Sequence, residues 1–369
     1  MLIQEKAGSF IQFFTPAVLV FCSYLIVRVI SILVYVLTNQ YIDPFEYGTI
    51  YLLLLSLFHI IGILIVFFVF IPIFKVRNDQ YKSINIQNAV ITILMTCFGL
   101  TLGFLSLLVL ETLLIPVFGS PQNPNDSLTL SGDNLTFFNI ILLFVLVSTL
   151  IPLWEELTCR RLLIPMLEER GMSPLSGVIV SSVIFAIGHL PNDFSNGNLA
   201  TLLIHIPRVF IFGLILGFIY IYTRNVFYSV LAHGIANGLN AILLALVYVN
   251  NLTLISIYIL IFLLILVTGS VIGIYTPWKI FNLDDQSILR LKSSGNILPG
   301  LIGLLTIFSG LIFFEIIFII GLKELIADQL LRNLLYLFPI SILLTVLLWL
   351  VTAKVEYKEL NNPVEDVFK

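Results

Sequence analysis

Two adjacent carboxylates, Glu155 and Glu156, stand where the apolar run 137–150 meets its first charges, and Arg160 follows four residues after the second. An acidic residue at the centre of a bilayer costs about 2.5 to 3.5 kcal/mol on insertion scales, so such a pair calls for a partner, a water-filled cavity or a chemical task. Two later apolar stretches each carry a histidine: His189 in SSVIFAIGHL and His233 in VLAHGIANGLN. Residues four apart share a helix face, so Glu156 can pair with Arg160, and Phe185 shares a face with His189 as His233 does with Asn237. Glu155 lies about 100° round the helix from Glu156 and faces elsewhere. Glutamate with histidine is what hydrolysis of a peptide bond by activated water requires. A buried carboxylate takes a proton from water while a neutral imidazole fixes that water's orientation. A second histidine and an asparagine can donate to the oxyanion that forms on the carbonyl, at about 2.7 to 4 kcal/mol per donor in a measured protease.

The elements that must carry these residues are membrane helices. The chain is 59% hydrophobic and only 11% charged, with a mean hydropathy of +1.08, far from the roughly 25% charged residues of soluble domains. Its net charge of -3 and scattered basic residues argue against nucleic-acid binding. Cys22, Cys97 and Cys159 have neither metal nor disulfide spacing and read as small buried hydrophobes. The apolar stretch after the N-terminus is too long for a signal-peptide core and reads as a retained first helix.

Apolar runs long enough for a hydrocarbon core of about 30 Å predict an all-α, polytopic transmembrane bundle of about ten spans. They fall near 10–38, 48–74, 86–118, 137–153, 174–190, 199–222, 226–249, 253–275, 298–322 and 335–353. Lysine and arginine recur in alternate loops: Lys75, Arg77 and Lys82, then Arg160, Arg161 and Arg170, then Arg224, then Lys279, Arg290 and Lys292, then Lys354 and Lys358. That alternation predicts a multi-pass cell-membrane protein with both termini cytoplasmic and Glu155 near the cytoplasmic face. The expected organisation is a catalytic core at 137–250, accessory helices at 1–136, and further helices with a tail at 251–369.

Taken together, Glu155-Glu156-x-x-x-Arg160, Phe185-x-x-x-His189 and His233-x-x-x-Asn237 resemble the three-motif signature of the CPBP family, the CAAX proteases and bacteriocin-processing enzymes also called the Abi family. The approach to the third motif, FIFGLILGFIYIYTRNVFYSVLAHGIAN, is similar to that family's Gly-x-x-x-Gly helix and short turn, here Gly213 and Gly217. The similarity covers about 137–250 and implies an intramembrane endopeptidase in a lipid bilayer, acting on a membrane-associated or lipidated peptide or protein. It also implies that Glu155 activates the water with help from His189. His233 and Asn237 would form the oxyanion hole, with Glu156, Arg160 and Phe185 in supporting contacts. Metal use stays open. No His-Glu-x-x-His helix is present, but if zinc binds, Glu155, His189 and His233 are its donors.

The same motifs admit a different class of protein, a non-proteolytic scaffold or bacteriocin-immunity protein that acts by binding a membrane-protein partner. A secondary transporter needs inverted repeats, which the sequence does not show. His59 reads as a packing residue, and His205, beside Pro207 and Arg208, lies where it could approach the site. Arg28, Glu111 and Glu315 are the other ionisable residues within spans, and Asn125 and Asn134 match glycosylation sites in a turn-rich outer loop.

Overall fold

The computed structural model describes residue 23 and residues 44–73, 76, 84–120, 136–169, 172–189, 199–249 and 252–280. Every regular element among them is helical, as the hydropathy requires. Helix α1 spans Pro44–Ile65 and continues through a π-helical turn, Val66–Phe70, into Ile71–Ile73. Helix α2 is Ile86–Phe118, and its first turn is capped by Asn85, whose Oδ1 accepts from the Gln87 amide at 2.7 Å. Helix α3 covers Phe137–Glu169 and starts where Thr136 Oγ1 accepts from the Asn139 amide. Helix α4 is Pro174–Ile187, capped by Ser173 with proline in its first turn. Helices α5 (Leu199–Thr223), α6 (Val226–Val249) and α7 (Leu252–Ile280) complete the described chain.

Two π-helical segments, Leu146–Leu150 and Leu157–Leu163, interrupt α3 on either side of the glutamate pair. Proline explains their positions. Pro72, Pro152 and Pro165 each stand two residues beyond a π segment. A proline ring clashes with the carbonyl four residues back and offers no N–H to it. The carbonyls concerned, those of Phe68, Ser148 and Arg161, all lie in the widened turns. Pro207 sits within α5 without such a turn.

Among the described residues, five helices are long and apolar enough to cross a membrane. Two expectations need correction. The fourth apolar run does not stop at 153, because α3 continues to Glu169; Arg160 and Arg161 are buried helix residues, 0% and 4% exposed, and not loop charges. They no longer support the expected orientation. The run 174–190 yields only the 14-residue helix α4, short for a crossing. The expected spans 298–322 and 335–353, most of 10–38, and the basic residues outside the helices from Lys75 to Lys82 and beyond 280 lie outside the described residues, as do Cys22, Arg28, Glu315, Asn125, Asn134 and Arg170.

Helix α5 packs along α2 and α4, α6 crosses α2, α3 and α5, and α7 lies along α2. The largest apolar cluster surrounds the second half of α3, where Trp154, Leu157, Cys159, Leu162 and Leu163 meet Ile184 and Phe185 of α4 and Tyr220 of α5. Close approach depends on small residues. A Cβ on Gly213 would press on Ser182, one on Gly217 would meet Val178 Cγ1 at 2.7 Å, and one on Gly234 would run into the Ser148 carbonyl. Outward faces are apolar instead of charged: Leu113, Phe68, Leu260 and Leu264 are each more than 60% exposed, which suits hydrocarbon.

Candidate active site

The glutamate pair projects from the short α-helical piece Ile151–Glu156 that the two π segments enclose. Glu156 and Arg160 are both 0% exposed, with Glu156 Oε2 3.2 Å from Arg160 Nε, an ion contact more than an aligned hydrogen bond. Arg160 is fixed twice more. Its Nη2 donates to the Gly213 carbonyl at 3.0 Å, and its guanidinium lies over the Phe185 ring at 4.6 Å. Arg160 therefore ties α3 to α4 and α5, and the two motifs carrying Arg160 and Phe185 become one packing unit.

His233 of α6 reaches back to both carboxylates. Its Nδ1 is 3.0 Å from Glu156 Oε1 and its Nε2 is 3.6 Å from Glu155 Oε2. Phe185 and Phe212 hold the imidazole edge-on, with ring centroids 5.7 and 5.6 Å away. Because Arg160 supplies the positive charge beside Glu156, Nδ1–H is the natural donor to that carboxylate, leaving Nε2 as an acceptor that faces Glu155.

His189 packs edge-on against Phe185 at 5.0 Å, and its Nδ1 bonds the Phe185 carbonyl at 2.9 Å. The i, i+4 pair expected from the sequence is thus formed, but through the backbone of Phe185. Asn237 donates from Nδ2 to the Val147 carbonyl at 3.2 Å. That carbonyl lies five residues before Pro152, which has no N–H with which to close the π-type bond, and Asn237 supplies the missing donor.

A cavity of about 200 Å³ is lined by His189, His205, Arg208, His233, Asn237 and Asn240 among apolar neighbours from α2, α4, α5, α6 and α7. His233 is the link between this cavity and the carboxylates, neither of which lines it. In the sequence His205 stands at the margin of the site and Arg208 carries no expected role. His205 faces His189 with ring centroids 5.8 Å apart. The available signal was the polar cluster His-Ile-Pro-Arg inside an otherwise apolar run. A larger hollow of about 520 Å³ between α3 and α6, lined by Phe144, Ser148, Leu231 and Gly234, holds none of the site residues.

His59 is buried, bonds the Leu55 carbonyl at 2.8 Å and stacks edge-on with Trp154, the packing role expected of it. Among the described residues, no three His, Cys, Asp or Glu side chains converge closely enough to hold a metal ion, so the expected Glu155, His189 and His233 donor set is not assembled here.

No curated protein and no solved structure matches the chain. Residues 137–239 match the family model described as type II CAAX prenyl endopeptidase Rce1-like, a stretch that begins with α3 and ends just past Asn237. That match takes in less than a third of the chain, but it covers all three motifs whose side chains meet here, and over this segment the chain is similar to that family.

Proposed function

We propose that the chain is an intramembrane endopeptidase in which Glu155 and His233 share the attacking water. The single observation that carries this reading is the 3.6 Å gap between Glu155 Oε2 and His233 Nε2. It is too long for a direct hydrogen bond, and both atoms are acceptors when Nδ1–H is given to Glu156. A water about 2.8 Å from each can donate one hydrogen to each, which turns its lone pairs outward. Glu155 takes the first proton, the hydroxide adds to the scissile carbonyl, and the same carboxyl later returns its proton to the departing amine. Asn237 keeps one amide N–H beyond the one given to Val147, and that N–H is the donor available to the oxyanion. His233, expected from the resemblance to serve the oxyanion, fits the water better because both its nitrogens already face carboxylates. No step in this reading needs a metal ion. The substrate class is a membrane-associated, lipidated peptide, as the prenyl endopeptidase model suggests.

The test compares cells carrying the full chain with cells carrying Glu155→Gln, by membrane proteomics and by turnover of the purified proteins in lipid. A peptide that accumulates uncut with the variant, and a rate lower by about 10² to 10⁴ at normal expression, is expected. Equal turnover by the two proteins refutes the assignment and leaves the partner-binding reading.

A further inference from the structure

Arg208 is a cation in the wall of the cavity, and among the described residues that wall contains no carboxylate. It stands on α5, one residue beyond Pro207 and three beyond His205. Its Nε is buried without a hydrogen-bond partner, and no ion pair to it forms among the described residues. The opposite charge that acts on it is Glu111 of α2, which lies outside the cavity lining.

A guanidinium stays charged at any physiological pH, and keeping one among apolar walls at membrane depth is costly unless an anion meets it. The other polar groups of the wall are imidazoles and the amides of Asn237 and Asn240, which can donate hydrogen bonds but add no negative charge while the imidazoles are neutral or protonated. A volume of about 200 Å³ is also far more than one water's share of about 30 Å³. The cavity is therefore suited to a piece of peptide that brings its own negative charge, and a planar carboxylate matches the fork of N–H groups that arginine presents.

We propose that Arg208 anchors a carboxylate of the bound peptide, so that the chain selects substrates by a negative charge lying within reach of the scissile bond. This inference rests on the peptidase reading. The charge has two sources, the α-carboxylate at a substrate's C-terminus or an acidic side chain. If it is the α-carboxylate, cleavage is confined to the last few residues of the substrate.

The experiment uses the full chain in lipid nanodiscs, carrying Glu155→Gln so that peptide is held uncut. Three fluorescent peptides are the probes, each with an S-farnesyl cysteine followed by three residues. The first has three neutral residues and a free C-terminal acid, the second the same residues with a C-terminal amide, and the third an amide with glutamate among the three. Binding of the first about tenfold or more tighter than the second is expected, with the difference lost in Arg208→Gln and partly kept in Arg208→Lys. Glu111→Gln, which removes the competing charge, should tighten binding of the free acid, a gain that misfolding cannot imitate. Discrimination restored by the third peptide identifies a side-chain carboxylate as the source and supports the anchor. Equal binding of acid and amide, or discrimination that survives Arg208→Gln, overturns it.

Cleavage of the same probes by the chain with Glu155 intact separates the two ideas. Cutting acid and amide alike keeps the peptidase and removes the anchor. Selective binding at Arg208 without cutting keeps the anchor and removes the peptidase, and neither binding nor cutting overturns both.

Discussion

Replacing Arg160 with methionine tests whether a buried charge network holds the site together. The guanidinium is fully buried, 3.2 Å from Glu156, bonded to the Gly213 carbonyl at 3.0 Å and stacked on Phe185 at 4.6 Å. Methionine keeps much of the apolar stem, so packing loss is small and the main cost is a stranded Glu156 carboxylate. Removing one partner of a buried ion pair costs about 3 to 5 kcal/mol, about two to three and a half powers of ten in the folding constant at about 1.4 kcal/mol per tenfold. The second arm adds Glu156→Gln to Arg160→Met. A neutral glutamine can still accept from His233 Nδ1, so the double variant should recover at least half of the loss. Equilibrium unfolding of the purified chain in lipid nanodiscs, followed by tryptophan fluorescence, measures both. A single-variant cost below about 1 kcal/mol, or a Glu156→Gln change that adds its own penalty instead of relieving one, refutes the reasoning.

Further outcomes follow from individual contacts. Gly234→Ala drives a methyl into the Ser148 carbonyl and should destabilise by about 1 to 3 kcal/mol, with cleavage lost alongside as α6 is pushed off α3; a melting curve like the parent's rules out that close crossing. Trp154→Phe deletes the 2.9 Å bond from Nε1 to Ser23 Oγ and should cost about 1 kcal/mol, read as a small shift in the same unfolding assay and none in substrate affinity. Asn237→Ala orphans the Val147 carbonyl, for about 1 to 3 kcal/mol of stability and a further drop in turnover if its second N–H serves the oxyanion. A turnover number unchanged after correcting for folded protein would remove Asn237 from the chemistry.

The motif pairs were legible because helical periodicity puts residues four apart on one face, and Glu156–Arg160, Phe185–His189 and the His233 face all appear as spacing dictates. What spacing does not contain is the cross-helix partner. His233 turned to the glutamates, and Asn237 turned to a backbone carbonyl that proline had left without a donor. Both choices depend on how far α6 rides along α3, which Gly234 sets by close approach. Arg160 and Arg161 look like loop charges in the sequence because arginine is seldom buried unless paired, and the Gly213 carbonyl that helps to hold Arg160 belongs to α5, distant in the sequence. Apolar runs located the helices well, but counting runs does not separate a crossing helix from a 14-residue one such as α4.

Pro152 stands three residues ahead of the glutamate pair, yet it governs their bearing. The widened turn it follows takes up one more residue than an α turn, so tightening it would swing everything downstream by about one residue's angular step, about 100°. With alanine at 152 the chain regains an N–H, the turn is free to close, and Glu155 and Glu156 would rotate off their imidazole while the helix stays unbroken. An imino acid that touches no substrate thus acts as the sight along which two carboxylates are aimed.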